Sequence, residues 1–171
     1  MGVGRLIVWD FDVVEDHNIP NQMYPKSAIG TFKVDAFKEM IESFSDTEVI
    51  AHNSEFCVDE MDGADVLYLC VDSMSARASI HNEAKHLVDY VIDTRMSGIM
   101  FDVIVLNEDS TFYSDDDVAP VPCTEKAIIY NVFGVSSIAA RLLGDYANGK
   151  PIDDRHLIFD YNNFILISVE K

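Results

Sequence analysis

The chain has 171 residues, about the length of one ordinary domain, and 49% of them are hydrophobic. This composition is typical of a chain with a packed core and argues against disorder. The formal net charge of -18 would repel a phosphate backbone or an anionic membrane. Nucleic acid and lipid are therefore not expected as partners, whereas a basic surface on a protein partner fits the charge.

Signals for export or membrane insertion are not found in the sequence. Every apolar run is shorter than the ~18 residues that a spanning helix needs. The N-terminus, Met1 to Arg5, does not have the layout of a signal peptide. The three cysteines, Cys57, Cys70 and Cys123, form no CxxC pair and leave one unpaired in any disulfide scheme. This pattern suits a reducing compartment, and we expect a cytoplasmic protein.

The first half of the chain alternates between short apolar runs and one amphipathic segment. Leu6 to Trp9 is a continuous apolar run, which predicts a buried parallel strand. Apolar residues recur at helical spacing from Thr31 to Phe44, which predicts an amphipathic helix. Strands are predicted at 47–51 and 66–70, and a helix from Ser75 to Asp89.

The second half adds strands, a loop and a long helix. Val91 begins one strand and 99–106 forms another, followed by a polar loop from Asn107 to Pro122. Thr124 to Asn148 is a helical candidate that the following Gly149 and Pro151 terminate. The tail, 157–159 and 164–167 around two asparagines, predicts a β-hairpin. The expected fold is an α/β domain with a mainly parallel sheet, flanking helices and a C-terminal antiparallel hairpin.

Asp10 and Asp12 follow the first predicted strand directly. In doubly wound folds ligands bind at the carboxyl ends of strands, where an acid commonly accepts hydrogen bonds from ribose hydroxyls. The same residues would also suit a simple turn, which Asp10 would cap. The sequence up to this point leaves both interpretations open.

Four stretches in the same order resemble the ThiF/MoeB/ubiquitin-activating-enzyme superfamily. The segment from Gly2 to Gln22 resembles the stretch in which a strand ends in D-x-D and leads to N-x-x-R-Q. Gly30 to Lys33 is similar to that family's G-x-x-K before a helix. The other two are Ala64 to Ser73 with Arg77, similar to a strand followed by D-N-x-x-x-R, and Pro122-Cys123-Thr124, similar to the surroundings of the catalytic cysteine. The resemblance implies a single Rossmann-like domain over residues 1–171.

The resemblance also implies a nucleotide site. Asp10 would hold the ATP ribose, with Asp12 beside it, and Asn18 and Gln22 would line the nucleotide and phosphate site. Lys33 would place positive charge on the phosphates. Developing charge in nucleotidyl transfer needs such fixed cations.

Three further residues complete the implied site. Asp72 would hold Mg²⁺, since a hard metal needs oxygen ligands, and Arg77 would join the cofactor-binding residues. Cys123 would be the catalytic nucleophile that forms a thioester with a ubiquitin-like protein. The reaction implied is ATP-dependent activation of the C-terminal carboxylate of a ubiquitin-like or sulfur-carrier protein.

Each of these residues also has a structural interpretation. Lys33 and Arg77 would suit solvated helix surfaces, and Asp72 would suit a cap on the helix that begins near Ser75. Cys123 would also fit a buried thiol at a helix start or, less well, a zinc ligand without a second cysteine at zinc spacing.

The chain departs from the family in two places, and both concern phosphate. The family's first strand, its G-x-G-x-x-G loop and its first helix are missing. Gly2-Val3-Gly4 does not replace the loop because a strand follows it, and not a helix. Asn21 stands where the family has arginine, and a neutral amide cannot reproduce a bidentate guanidinium clamp. These departures leave catalysis by this chain open.

The missing strand is central in such sheets, so its absence predicts uncovered hydrogen-bonding groups at an edge. We expect dimerisation, with an identical or a related chain, or strand rearrangement around Leu6 to Asp10. A gene product that begins upstream of Met1 is the alternative.

Three functions are compatible with the sequence. The first is an adenylyltransferase, active or degenerate, and the second is a non-catalytic module that keeps the fold and binds a protein partner. The third is a Rossmann-type dehydrogenase with Asp10 or Asp12 on an NAD ribose, which gains nothing from Lys33, Asp72 or Cys123.

Overall fold

The computed structural model describes residues 3–110, 112, 129–152 and 155–170. The chain divides into two compact units, Met1–Met61 and Asp62–Lys171. Each unit has its own sheet and its own packed side chains, and each is described separately.

The first unit is built on one β-α-β crossover. Strand β1, Arg5–Trp9, pairs in parallel with β2, Glu48–His52, and helix α1, Lys33–Glu42, connects them. The register runs from Arg5 opposite Glu48 to Trp9 opposite His52. Because the strands are parallel, their carboxyl ends lie side by side, and residues following Trp9 and His52 meet at one edge.

The segment between β1 and α1 folds back on itself. Two short 3₁₀ turns occupy Asp16–Asn18 and Lys26–Ala28, and an isolated bridge joins Val13 to Phe32. Val14, Ala28 and Ala36 form the small buried cluster beneath this segment. The bridge explains why α1 begins at Lys33, because the predicted first turn at Thr31 and Phe32 pairs with the chain after β1.

Among its described residues, the second unit contains one sheet of five strands and two helices. The sheet order is β3-β4-β5-β6-β7. The strands are β3 Val66–Leu69, β4 Tyr90–Ser97, β5 Met100–Leu106, β6 Arg155–Asp160 and β7 Ile165–Glu170, and the helices are α2 Met74–Ala84 and α3 Ile129–Ala147.

Parallel and antiparallel pairings both occur in this sheet. β3 pairs with β4 in parallel, and α2 lies between them in the chain. The three following pairs, β4 with β5, β5 with β6 and β6 with β7, are antiparallel. The hairpin predicted at the C-terminus is therefore part of a longer antiparallel run that begins at β4.

The core of the second unit lies between the sheet and α3. Ile92, Phe101, Val103 and Val105 of the sheet are buried against residues of α3 that include Val135 and Leu142. These strand residues alternate along β4 and β5, so they share one face of the sheet. The packing explains why α3 is long and apolar.

The predicted fold class is confirmed: the chain is an α/β structure with parallel and mixed sheets and a C-terminal antiparallel strand pair. The helix predicted from Ser75 to Asp89 ends earlier, at Ala84. The amide of Leu87 donates to the carbonyl of Ala84 in a tighter turn, and the amide of Asp89 donates to Asp65, which leads the chain into β4. The predicted start of the long helix at Thr124, and most of the loop before it, lie outside the described residues.

None of the helices in the described part of the chain is long and apolar enough to cross a membrane.

Candidate functional site

The carboxyl end of β1 carries the two predicted acids. The amide of Asp10 donates to the carbonyl of His52 at 3.2 Å, which continues the pairing of β1 with β2 by one residue. Oδ1 of Asp10 then accepts the amide of Asp12 at 2.8 Å, as in an Asx turn. Asp10 thus turns the chain out of the strand and places Asp12 at the strand end.

Lys33 lies directly against Asp12. Its Nζ is 2.7 Å from Oδ2 of Asp12, and its amide donates to the carbonyl of Asp12 at 2.9 Å. The lysine side chain is mostly buried, whereas the side chain of Asp12 is about half exposed. The first residue of α1 is therefore fixed at the end of β1, and its side chain is the cation for which the family resemblance implies a phosphate contact.

Asn18 shapes the loop that follows. Its side chain is buried, and its Oδ1 accepts the amide of Glu15 at 2.9 Å. Its carbonyl accepts the amides of Asn21 at 3.0 Å and of Gln22 at 2.9 Å. Asn18 thus holds the half-buried Gln22 in a tight turn. The side-chain oxygen of Asn18 is already occupied by the amide of Glu15.

These residues border a small depression of about 140 Å³. Its lining includes Asp12, Asn18 and Lys33, together with Val13, Glu15 and His17. Pockets that enclose a drug-sized ligand have volumes of roughly 300 Å³ or more. The depression in the first unit has room for one part of a nucleotide, such as a phosphate group.

An aromatic cluster that the sequence analysis missed lies at the same strand ends. The rings of Trp9 and His52 are stacked, with centroids 5.2 Å apart and planes at 10°, and Phe56 meets Trp9 edge-on. Oε2 of Glu60 lies 3.1 Å from Nε1 of Trp9 and 3.0 Å from Nδ1 of His52. The sequence alone did not indicate this cluster, because the parallel pairing that brings Trp9 beside His52 is a property of the fold.

The charge of Asp10 affects the ionisation of the Tyr24 phenol. Burial raises the pKa of Tyr24, and the negative charge of Asp10 raises it further. The hydroxyl of Tyr24 therefore keeps its proton at neutral pH.

Asp72 lies in the second unit, after the end of β3. It is exposed and has no hydrogen bond or ion pair to the described residues. The cap of α2 is Ser73, whose hydroxyl accepts the amide of Ala76 at 3.3 Å. The capping role considered for Asp72 thus belongs to its neighbour, and the carboxylate is accessible.

Arg77 is buried, although its position on a helix also suited a solvated face. It donates to the carboxylate of Asp93 and, at 2.9 Å, to the carbonyl of Leu69. Arg95 binds the other oxygen of Asp93 through Nε at 2.7 Å and Nη2 at 2.6 Å. Asp93 is fully buried between two guanidinium groups, which is the geometry that a buried carboxylate needs.

Two parts of the predicted site have no geometry here. Cys123 lies outside the described residues. Within 3–110 and the other described ranges, no group of three or more His, Cys, Asp or Glu residues is placed to hold a metal ion. Magnesium is usually held by only one or two carboxylates together with substrate phosphates. The accessible carboxylate of Asp72 is compatible with a site of that kind, and not with a site that needs several protein ligands.

Comparison with solved structures shows the same fold in longer chains. PaaA superposes with a TM-score of 0.78 at 21% identity, over 99% of this chain and 57% of that chain. E. coli MccB with MccA-N7isoASN gives a TM-score of 0.77 at 12% identity, over 98% and 57%. E. coli MccB with ATP gives 0.75 at 12% identity, over 98% and 56%. The chain thus spans less than two thirds of these structures.

Comparison of sequences gives two results. No curated protein sequence matches the chain. The model of the ThiF family matches residues 1–162, which is nearly the whole chain and includes every residue of the candidate site. The chain therefore belongs to the ThiF family.

Proposed function

We propose that the chain carries the nucleotide-binding part of an adenylyltransferase that activates the C-terminal carboxylate of a peptide or small protein. The observation that carries this proposal is the placement of Lys33 against Asp12 at the end of β1, next to Asp10. It puts a fixed cation and a ribose acceptor at the strand ends, where nucleotides bind in such sheets.

The reaction proposed is transfer of AMP to a carboxylate. An oxygen of the carboxylate attacks the α-phosphorus of ATP, the bond from that phosphorus to the bridging oxygen breaks, and pyrophosphate leaves. Negative charge builds up on the phosphate oxygens, and a cation fixed in advance stabilises it. Lys33 supplies this cation if its ammonium group exchanges Asp12 for a phosphate, and the half-exposed Asp12 is free to be solvated.

Other residues take supporting roles in this proposal. Asp10 is the proposed acceptor for the ribose hydroxyls, and Gln22 is proposed to contact the phosphates from the loop that Asn18 keeps in shape. Asp72 would hold Mg²⁺, which neutralises phosphate charge when it is bound. Arg77 would act on the site indirectly, because its guanidinium is committed to Asp93 and to the carbonyl of Leu69 at the end of β3. Cys123 is the proposed nucleophile for passing the activated carboxylate onward.

A protein partner is supported by what the structural neighbours contain. Some of the MccB structures hold MccA or its derivative, and MccB is a microcin C7 biosynthetic enzyme. For this chain we propose a ubiquitin-like or sulfur-carrier protein with a basic contact surface, because the net charge is -18. We further propose a dimer, with an identical or related chain, that covers β1, whose pairing within the described residues involves only β2.

A non-catalytic binding module is the second candidate. The neutral Asn21, which stands where the family has arginine, favours it, since a neutral amide removes a charged phosphate contact. Nucleotide binding separates the two candidates.

Calorimetric titration of the 171-residue chain with Mg²⁺-ATP tests the proposal. We expect binding, and we expect Asp72→Ala to weaken the response to Mg²⁺-ATP more than the response to metal-free ATP. The exposed Asp35→Ala, on α1, is the matched control. No heat at millimolar nucleotide would leave the binding module as the function.

A further inference from the structure

Asp72 lies in a short loop whose two ends are fixed. Strand β3 ends at Leu69 and helix α2 begins at Met74, so the loop consists of residues 70–73. Asp72 itself is exposed and makes no hydrogen bond or ion pair to the described residues. The direction of its carboxylate therefore depends on the backbone of the loop and on the contacts that hold the loop at its ends.

The carbonyl of Leu69 is the point at which the loop is attached to its surroundings. Nη1 of Arg77 donates to this carbonyl at 2.9 Å, and the hydroxyl of Thr94 donates to it at 3.0 Å. Arg77 lies on α2 and Thr94 lies on β4. The start of the loop is thus tied both to the helix that follows it and to the neighbouring strand.

Arg95 controls this attachment from two contacts further away. Oδ1 of Asp93 binds Arg77, and Oδ2 binds Nε of Arg95 at 2.7 Å and Nη2 at 2.6 Å. Because a guanidinium group is planar and rigid, this two-point contact fixes the plane of the Asp93 carboxylate. The guanidinium of Arg95 itself lies over the ring of Phe112, with Cζ 5.3 Å from the ring centroid. A continuous series of contacts thus leads from Arg95 to the carbonyl of Leu69.

Charge balance alone does not explain the second guanidinium. Arg77 is sufficient to neutralise Asp93, and adding Arg95 leaves this group of three with one positive charge. Asp102, opposite Arg95 on β5, has its own contact with His156 at 3.4 Å. A mostly buried cation is costly unless it is used, and the side chain of Arg95 is only 16% exposed. The geometry of its contact with Asp93 indicates a use in orientation.

We propose that Arg95 is a positioning residue, which acts through Asp93 and Arg77 to hold Asp72 in place for the Mg²⁺ of a bound nucleotide. The inference rests on the proposed nucleotide binding. Magnesium requires near-ideal octahedral geometry, so a small displacement of its ligand lowers the affinity. Groups that orient a metal ligand typically affect the affinity for the metal about 10–100-fold.

Arg95→Met tests this role by calorimetry with Mg²⁺-ATP and with metal-free ATP. Asp93 keeps its pair with Arg77 in the variant, so the chain is expected to fold, and urea denaturation checks that it does. The affinity for Mg²⁺-ATP is expected to fall about tenfold, whereas the affinity for metal-free ATP is expected to stay within about twofold of the parent. Arg141→Met is the matched control, because Arg141 is an exposed arginine of α3 that pairs with Asp145 at 2.8 Å.

The double variant with Asp72→Ala separates positioning from a general loosening of the unit. In the Asp72→Ala chain, Arg95→Met is expected to cause no further loss of affinity for Mg²⁺-ATP, because the carboxylate that it positions is gone. Additive losses, or equal losses with Mg²⁺-ATP and with metal-free ATP, would overturn the proposal. A parent chain that binds no nucleotide would contradict the proposed function itself. A parent chain that binds it, with Arg95→Met at full affinity for Mg²⁺-ATP, would overturn this inference alone.

The nucleotide-free chain offers a second readout, by NMR of the ¹⁵N-labelled protein. Arg95→Met is expected to lower the heteronuclear nuclear Overhauser effect of the Asp72 amide, because the loop becomes more mobile on the picosecond to nanosecond timescale. Arg141→Met is expected to leave it unchanged. The same value for Asp72 in the parent and in Arg95→Met would show that these contacts do not hold the loop.

Discussion

Lys33 and Asp12 illustrate how one contact serves both local structure and the proposed chemistry. The ion pair fixes the start of α1 against the end of β1. Since Asp12 is half exposed, solvent weakens the pair, and a partly exposed ion pair contributes ~1 kcal/mol or less to stability. Its main effect is therefore expected in ligand binding and not in folding.

Lys33→Met is expected to reduce the affinity for Mg²⁺-ATP by at least about tenfold, because the phosphates lose their fixed cation. Calorimetry provides the dissociation constant. Lys38→Met is the control, because Lys38 lies on the same helix and its partner is the exposed Glu42 at 3.8 Å. Equal affinities for the two variants would show that Lys33 does not contact the nucleotide.

Asp93 is the residue whose loss should affect folding most. It is fully buried, and its carboxylate forms ion pairs with the guanidinium groups of both Arg77 and Arg95. Asp93→Ala leaves two mostly buried guanidinium groups without their carboxylate, and breaking a buried ion pair typically costs about 3–5 kcal/mol. Urea denaturation is expected to show a loss of that size, whereas Glu83→Ala, on the exposed face of α2, should change little. A loss below about 1 kcal/mol for Asp93→Ala would refute this role.

At the level of residues, the sequence indicated the candidate site best where charged side chains follow the end of a strand. Asp10, Asp12 and Lys33 were predicted to form one group, and the structure brings them together. Asp93 and the stacked rings of Trp9 and His52 were missed. Their partners are distant in sequence, and a single sequence without its fold does not show which distant side chains meet.

Helix α3 lies close to Phe101 of the sheet and to Tyr161 at Gly134. A Cβ at this position would lie 2.5 Å from the hydroxyl of Tyr161 and 2.6 Å from the ring of Phe101. The ring of Phe101 is buried, so it cannot easily move away. The absence of a side chain is what allows the helix to approach.

Gly134→Ala is therefore expected to lower the free energy of unfolding by about 1–3 kcal/mol, as overpacking does. At an open helical site the same substitution would instead be stabilising by ~1 kcal/mol. Thermal or urea denaturation measures the difference, with the exposed Ser136→Ala on the same helix as control. An increase in stability for Gly134→Ala would contradict the close approach of α3.

Two tyrosines connect α3 to the sheet region and predict a loss of stability at high pH. Tyr68 donates to the carbonyl of Ala139 at 2.9 Å, and burial raises the pKa of Tyr68 to about 12. Tyr146 donates to Asp89 at 2.6 Å, and this hydrogen bond raises the pKa of Tyr146 to about 12. The folded chain thus keeps both protons up to about pH 12, whereas the unfolded chain releases them near the ordinary value of 10.0.

The free energy of unfolding is therefore expected to be unaffected by these groups below pH 10 and to fall as the pH rises from about 10 to about 12. Urea denaturation at a series of pH values measures the slope. Tyr68→Phe and Tyr146→Phe should each make the slope shallower, and Tyr130→Phe, at an exposed position near the start of α3, serves as control. A slope that neither substitution changes would contradict the assignment.

At the level of elements, the sequence predicted most strands and helices because hydrophobic periodicity specifies them. The end of the second helix was less well predicted, since Leu87 and Lys85 continue a helical pattern while the amide of Asp89 pairs with Asp65. The antiparallel pairing of β4 with β5 was also not foreseen. It depends on a tight turn at Gly98, whose φ of 57° a glycine adopts without strain.

At the scale of the whole molecule, the family was accessible from the sequence because four short stretches occur in the right order. Their order, and not any single motif, distinguished this family from a dehydrogenase. The match over residues 1–162 confirms that assignment. Nucleotide binding could not be predicted in the same way. Lys33 matches a phosphate-binding residue of the family, whereas Asn21 replaces another, so the two observations point in opposite directions.

Nucleotide binding at the carboxyl end of β1 can be observed residue by residue by NMR, when the ¹⁵N-labelled chain is titrated with Mg²⁺-ATP. Saturable shifts of the amide signals of Asp10, Asp12 and Lys33 are expected, and these shifts are expected to be lost in Lys33→Met. Shifts confined to other parts of the chain, or none at millimolar nucleotide, would contradict binding at this site and leave a family member that binds proteins without binding ATP.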